Sequence, residues 1–380
     1  PAAAQGGPCT PAWTRSWLGT RFDAVAAFDA ARGRVVLFGG LPELGGSAGD
    51  TWSFDGLAWS RIATDGPSPR GSAAMAFDPT RGRLVLFGGR GDGLFLGDTW
   101  EWDGAAWTRV ASTGPMPRSG ARMAWDAAQG RVLLFGGFAA GGELDDTWSW
   151  NGTRWTRHFV EGPPARAFAD LAGDPARARV VLFGGVAGAT YLADTWEWNG
   201  AAWALVASGG PEARGYHGLA YDAARARTLL FGGFGGEDGI TLFGDTWAWN
   251  GSAWTKLAAS GPDARAQHVL AYDGARAKVV LAVGARLGEL DRTSDTWEWD
   301  GTSWVLVQDL RDAGRSQHGA AFDGARRRTV LFGGFAFDGA FPPPDTFEHD
   351  GAALRRVANA GPVRVSAPLA FDGRRTILFG

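Results

Sequence analysis

Three regularities in the 380-residue sequence predict an all-β fold in which four-stranded antiparallel sheets stand around an axis as the blades of a propeller. The first is an Asp-Thr-aromatic segment, typified by "GDTWEWDGAAWTRV", whose Asp falls at Asp50, Asp98, Asp146, Asp194, Asp245, Asp295 and Asp345. The second is an apolar run closed by two glycines, "VVLFGG" at 35–40, with returns at 84–89, 132–137, 180–185, 228–233, 279–284, 329–334 and, as "TILFG", 376–380. The third is the placing of most of the 20 tryptophans at fixed points in this pattern. Self-similarity with a period near 50 residues marks supersecondary units that bury their faces only by stacking on one another.

Each repeat reads as strands a to d. In residues 71–110, "SAAMAFD" is strand a, "PTRGR" a turn, and "LVLFGG" the β-branched strand b. "DTWEW" is strand c, with Trp100 and Trp102 two apart on one face. Asp103-Gly104 predicts a two-residue type I′ hairpin, and an Asp-Gly or Asn-Gly pair recurs in all seven copies. "AAWTRV" is strand d. Each buried Trp hides roughly 150–250 Å², worth about 4–6 kcal/mol, so the indoles read first as glue between blades. Ala27, Ala76, Ala124, Ala172, Ala220, Ala271, Ala321 and Ala370 recur at one place in strand a, as crowding at an axis requires. The d-to-a spacer must cross about 14 Å, well within the roughly 26 Å reach of eight residues.

The double glycine ending strand b, the aromatic of strand c and the Trp of strand d resemble the kelch-repeat family over about Thr20 to Gly380. The resemblance implies a kelch-type β-propeller and is silent on function. Two repeats depart from it. Val283 replaces the first glycine of the sixth, and Phe347, His349 and Leu354 replace the tryptophans of the seventh. Counting strands gives eight blades, with "PAWTRSW" (11–17) as the d strand of a closing blade completed by C-terminal a and b strands; seven blades is the alternative. The expected organisation is an extension at 1–10 and one propeller domain at 11–380. Its blades fall at about 22–61, 71–110, 119–158, 167–206, 215–257, 266–307 and 316–357, and 365–380 joins 11–17.

A net charge of −3 gives no whole-molecule field for nucleic acid, and no run of 18 apolar residues would span a membrane. Cys9 is the single cysteine, so no disulfide forms within the chain. The sequence begins at Pro1 and ends within a repeat, which reads as a piece of a longer polypeptide or assembly. Arginine far outnumbers lysine, which suggests a GC-rich bacterial genome. An extracellular or envelope location is expected, with a cytoplasmic one as the alternative.

Strand parity puts the d–a and b–c loops on one face and the tight a–b and c–d turns on the other. The first face has the variable loops, where binding usually resides. An arginine opens every a strand: Arg21, Arg70, Arg118, Arg166, Arg214, Arg265, Arg315 and Arg364. If strand a is innermost, these guanidinium forks ring the axis and suit carboxylate or phosphate. Some kelch propellers grip acidic peptides with arginines at comparable places. The competing reading pairs each Arg with the Asp of the Asp-Thr-aromatic segment. His217, His268 and His318 follow three of these arginines, where the other five copies have Ala. They read as packing residues or as a ligand-contacting row, and they lie too far apart to share a metal.

No catalytic triad, zinc signature, phosphate loop or EF-hand appears, and Arg90-Gly91-Asp92 reads as a chance tripeptide in a Gly-rich loop. Galactose oxidase shares kelch-type blades, but its copper site needs a Tyr linked to Cys, and nothing of it carries over. The expectation is a non-catalytic interaction module without cofactor or metal, binding protein or glycan through the first face. Two alternatives stand beside it. One is a carbohydrate-active enzyme or accessory domain using carboxylates such as Glu237, Asp238, Glu289 and Asp291. The other is a structural brick of a filament or surface layer.

Overall fold

The computed structural model of the chain describes residues 18–42, 45–257, 261–286 and 293–308, and further on 315–316, 319–332, 335–336, 346–349, 354–358, 369–372 and 374–378. The repeats fold as the periodicity predicts. Sheet 1 comprises Val25–Asp29, Arg34–Phe38, Thr51–Phe54 and Trp59–Ala63, antiparallel and side by side in chain order. Sheets 2 to 7 repeat this order, opening with Ala74–Asp78, Arg122–Asp126, Asp170–Asp174, Gly218–Asp222, Val269–Asp273 and Gly319–Asp323. Leu369–Phe371 and Thr376–Leu378 form an eighth, two-stranded sheet. No helix among the described residues is long and apolar enough to cross a membrane.

Strand b is an unbroken apolar run because neighbouring sheets cover both its faces. Val35, Val36, Leu37 and Phe38 are at most 1% exposed, and sheets 2 to 6 repeat this pattern. The c–d turn differs from the expected two-residue hairpin. Trp102 pairs with Trp107, so the loop holds four residues, and Asp103 N–H donates to the Ala106 carbonyl. The Asp103 carboxylate accepts from the N–H groups of Ala105 and Ala106 at 2.8 Å, and Gly104 takes the positive φ of 99°. The residue pair was the right signal, but the side chain caps the turn and only the glycine needs the left-handed region. Gly104 has a second reason. A Cβ there would collide with the Arg32 side chain, which crosses from sheet 1 to bond the Asp103 carbonyl.

The ring closes after six sheets, which corrects the count of eight and its alternative of seven. Every strand-d indole donates from Nε1 to the strand-c Thr of the preceding sheet: Trp107 to Thr51, Trp155 to Thr99, Trp203 to Thr147, Trp254 to Thr195 and Trp304 to Thr246, at 2.8–2.9 Å. Trp59 of sheet 1 donates to Thr296 of sheet 6 at 2.9 Å and completes the cycle. A second cycle runs through backbone at the axis. The N–H of Ser72 donates to Asp23, Gly120 to Ser72, Phe168 to Gly120, Tyr216 to Phe168, Gln267 to Tyr216, and Asp23 back to Gln267. All six residues hold φ between 51° and 64°.

Trp59 thus holds the Thr296 hydroxyl, and the sequence of sheet 7 has Leu354 in place of the strand-d tryptophan. The inner strand of sheet 7 packs instead against Leu369–Phe371. The "PAWTRSW" segment of the expected closing blade lies outside the described residues.

Two links of the indole network are missing, at Trp102 and Trp299. Glu101 and Glu197 accept from Trp150 and Trp249 of the following sheet at 2.8 and 2.9 Å, and pair with Arg81 and Arg177. The matching residue is Ser53 before Trp102 and Ala248 before Trp299, and neither buried indole Nε1 has an acceptor. Ala248→Glu supplies one beside Arg225. It should raise stability by about 1 kcal/mol and the melting temperature by a few degrees. An unchanged or lowered Tm by calorimetry would count against this account of the indoles.

Candidate functional site

The six arginines of the ring are structural spokes. Arg21, Arg70, Arg118, Arg166, Arg214 and Arg265 are at most 1% exposed. Each forks onto the Asp of its own sheet: Arg21 to Asp50, Arg70 to Asp98, Arg118 to Asp146, Arg166 to Asp194, Arg214 to Asp245 and Arg265 to Asp295. Their Nη1 groups also donate to the carbonyl ending strand b, as Arg70 does to Gly88 at 2.9 Å. The same carboxylates accept an indole N–H from strand c, Trp100 to Asp98 at 2.7 Å among them. A guanidinium so enclosed has no face left for a ligand, and only this full pairing makes its burial affordable. The competing reading of the sequence therefore describes these six. Arg364, the Arg315 side chain and His318 lie outside the described residues.

Burial pushes the carboxyl groups of the spokes up, but hydrogen bonds and charge from the arginines outweigh it in Asp50, Asp98, Asp146, Asp194 and Asp245. All five fall below the usual carboxylate range. His217 and His268 are 2% and 7% exposed and stand edge-on to Phe183 and Phe231 of the preceding sheet. No ring nitrogen of either makes a hydrogen bond of ordinary geometry. Burial, then the guanidinium beside each, drives both imidazoles down, His268 to about 3, while the Phe183 and Phe231 carbonyls pull weakly the other way. They are neutral packing residues.

What does face the axis is a second set of residues that breaks the repeat. Strand a opens with Val25, Ala74, Arg122, Asp170, Gly218 and Val269 in sheets 1 to 6. Arg122 Nε approaches Asp170 Oδ1 at 3.3 Å, and the other Asp170 oxygen accepts from Leu219 N–H at 2.7 Å. Above them the backbone cycle carries the side chains of Asp23, Ser72, Phe168, Tyr216 and Gln267. Phe168 and Tyr216 stack with centroids 4.3 Å apart. Arg122 is the hub of the mouth: its charge acts on Asp23, Asp170, Tyr216, His217 and His268, which come from four other sheets.

Burial raises both Asp23 and Asp170, against hydrogen bonds from Ser72 and Gln267 to the first and the pull of Arg122 on both. Tyr216 is pushed up to about 12, by burial first and then by the Asp23 charge. Sequence reading missed Arg122 and Asp170 because each looked like an ordinary start of strand a. Their departure from the small and apolar residues of the other sheets was the available signal.

Below this level lies a cavity of about 80 Å³ lined by Arg122, Asp170, His217 and His268, and below that one of about 340 Å³ at the turn-bearing face. The two share a layer of six residues, one per sheet: Ala26, Met75, Met123, Leu171, Leu219 and Leu270. The larger cavity is bordered by Phe28, Phe77, Trp125, Tyr221 and Tyr272, with Gly173 in the sixth place. The face expected to be plain scaffold thus also opens a concavity. Glu237 and Asp238 are exposed in their loop, and Asp238 is bound to Ile240 and Thr241 of that same loop. Glu289 and Asp291 lie outside the described residues.

A closed cycle of four-stranded sheets around a lined axis defines a β-propeller. Among solved structures, the fold is similar to that of YjhT, with a TM-score of 0.59 and 16% identity over 77% of this chain and 98% of YjhT. No family model matches the chain, and no curated protein matches it.

The histidines give a pH test. Unfolded, each protonates near 6.5, but folded they resist it, so the unfolded state binds more protons below pH 6.5, for His268 down to about 3. Their burial is without penalty above pH 6.5, and stability falls as pH drops through that window, by about 1 kcal/mol per unit for each histidine at the steepest. The variant His217→Ala/His268→Ala, with the residue the other ring sheets use, should flatten urea-derived stability between pH 6.5 and 5. An unchanged slope would show that other groups govern it. The spoke carboxylates act lower. Their contribution is fully present above the ordinary carboxylate range and is lost only as pH falls through their depressed values.

Proposed function

We propose that this propeller is a binding module whose ligand enters along the axis from the face carrying the d–a and b–c connections, and that the ligand is a hydroxyl-rich one, a sugar unit of a glycan. The observation that carries the reading is the break in symmetry at the mouth. The spoke Arg–Asp pairs and the threonine–indole links are the same in all six sheets of the ring, whereas the side chains of Asp23, Arg122, Phe168, Asp170, Tyr216 and Gln267 differ from sheet to sheet. They set carboxylate acceptors, an amide, a guanidinium and an aromatic stack around one axis. Sugars present hydroxyls that both donate and accept, and apolar ring faces that rest on aromatics.

Asp170 already engages the one guanidinium of the mouth, that of Arg122, which leaves little there for an anionic ligand. The arginine clamp for acidic peptides that the kelch resemblance implied gains no support, because the spokes are consumed within the fold. The enzyme alternative gains none from the loop carboxylates, since Asp238 serves its own turn. Calorimetric titration with a panel of neutral and acidic monosaccharides and short glycans tests the reading. At least one neutral sugar should bind saturably, and Tyr216→Ala and Gln267→Ala should each weaken it about tenfold, roughly 1.4 kcal/mol, with Tm little changed. Absence of saturable binding, or binding indifferent to both variants, would sink it.

A further inference from the structure

We propose that the outer edge of sheet 4, strand Trp203–Ala207, is the surface through which two copies of this chain associate. In each four-stranded sheet, strand d is outermost and offers an open row of backbone donors and acceptors. One way proteins keep such edges from pairing with one another is to place charged side chains, Lys above all, on them. Five of the seven edges here do so at one position, the partner of the first strand-c aromatic: Arg61, Arg109, Arg157, Lys256 and Arg356. In sheets 4 and 6 that partner is Leu205 and Leu306.

Sheet 4 goes furthest. Ala204, Leu205 and Val206 are exposed in succession, Leu205 by 54%, and the strand carries no charge. The connection that follows sheet 3 lies against Trp203 through Gly162 and carries Phe159, 86% exposed. A bulge at Val206 ends the regular run at Leu205. The contact therefore rests on apolar side chains as much as on a short stretch of backbone pairing.

The occupant follows from the charge pattern. In a twofold antiparallel contact an edge meets its own residues, so a central cation would face its copy and repel, whereas Leu205 would meet leucine. The five cationic edges oppose self-pairing, and of the two edges without a cation that of sheet 4 exposes the longer apolar run. Sedimentation velocity over a concentration series, with light scattering after size exclusion, tests this. The wild-type chain should form a dimer. Leu205→Lys, which restores what the other edges carry at an exposed site, should weaken it by tenfold or more with circular dichroism and Tm unchanged, and Leu306→Lys should leave it intact. A wild-type chain that stays monomeric, a dimer that survives Leu205→Lys, or one broken by Leu306→Lys alone would overturn the proposal.

Discussion

The molecule depends on one constraint: no sheet can satisfy its buried polar groups from within itself. The strand-d indole needs the threonine of the sheet before it, and the left-handed residue at the axis needs that sheet's carbonyl. An open row of such sheets would leave the apolar face and indole of its first sheet, and the apolar face and threonine of its last, open to water. Closing the row removes both defects at once. The hydrophobic gain is inseparable from this. Sheet 1 and sheet 6 bury Val35, Leu37, Trp52 and Trp59 against Val269, Val280 and Val283 only because they meet.

The same logic explains which charges are buried and which are not. Spoke arginines tie the start of strand a to the end of strand b and to the Asp before strand c, pulling three connections of one sheet into a single knot. On the opposite face, Arg32, Arg81, Arg177, Arg225 and Arg276 lie where a Cβ of the neighbouring turn glycine would sit. Both faces of the ring are thus laced, one mainly within each sheet and the other between sheets.

Strand content was legible in the sequence because each signal is local: apolar runs ended by glycines, paired indoles, capped turns. Ring size was not, because repeat count and closure are different quantities. Leu354 is visible as a departure from the pattern, but nothing local to it says that the Thr296 hydroxyl goes to Trp59, far earlier in the chain. The site was legible in part. Arg70 and Asp98 were both marked by the repeat, and their pairing was the plainer of two readings. Arg122 and Asp170 escaped notice because a single strand start shows nothing unusual, and only superposition of six strands reveals a charge where the others carry Val, Ala or Gly.

The layer of Ala26, Met75, Met123, Leu171, Leu219 and Leu270 between the two axial cavities has a consequence for how the molecule is used. Thioether and aliphatic groups from all six sheets make an apolar girdle around the axis there. Of the two hollows that meet at this girdle, one is lined by charged groups and the other by aromatic rings. The two ends of the wheel therefore offer different chemistry on a common scaffold, and each can be reshaped by changing residues that the other does not use.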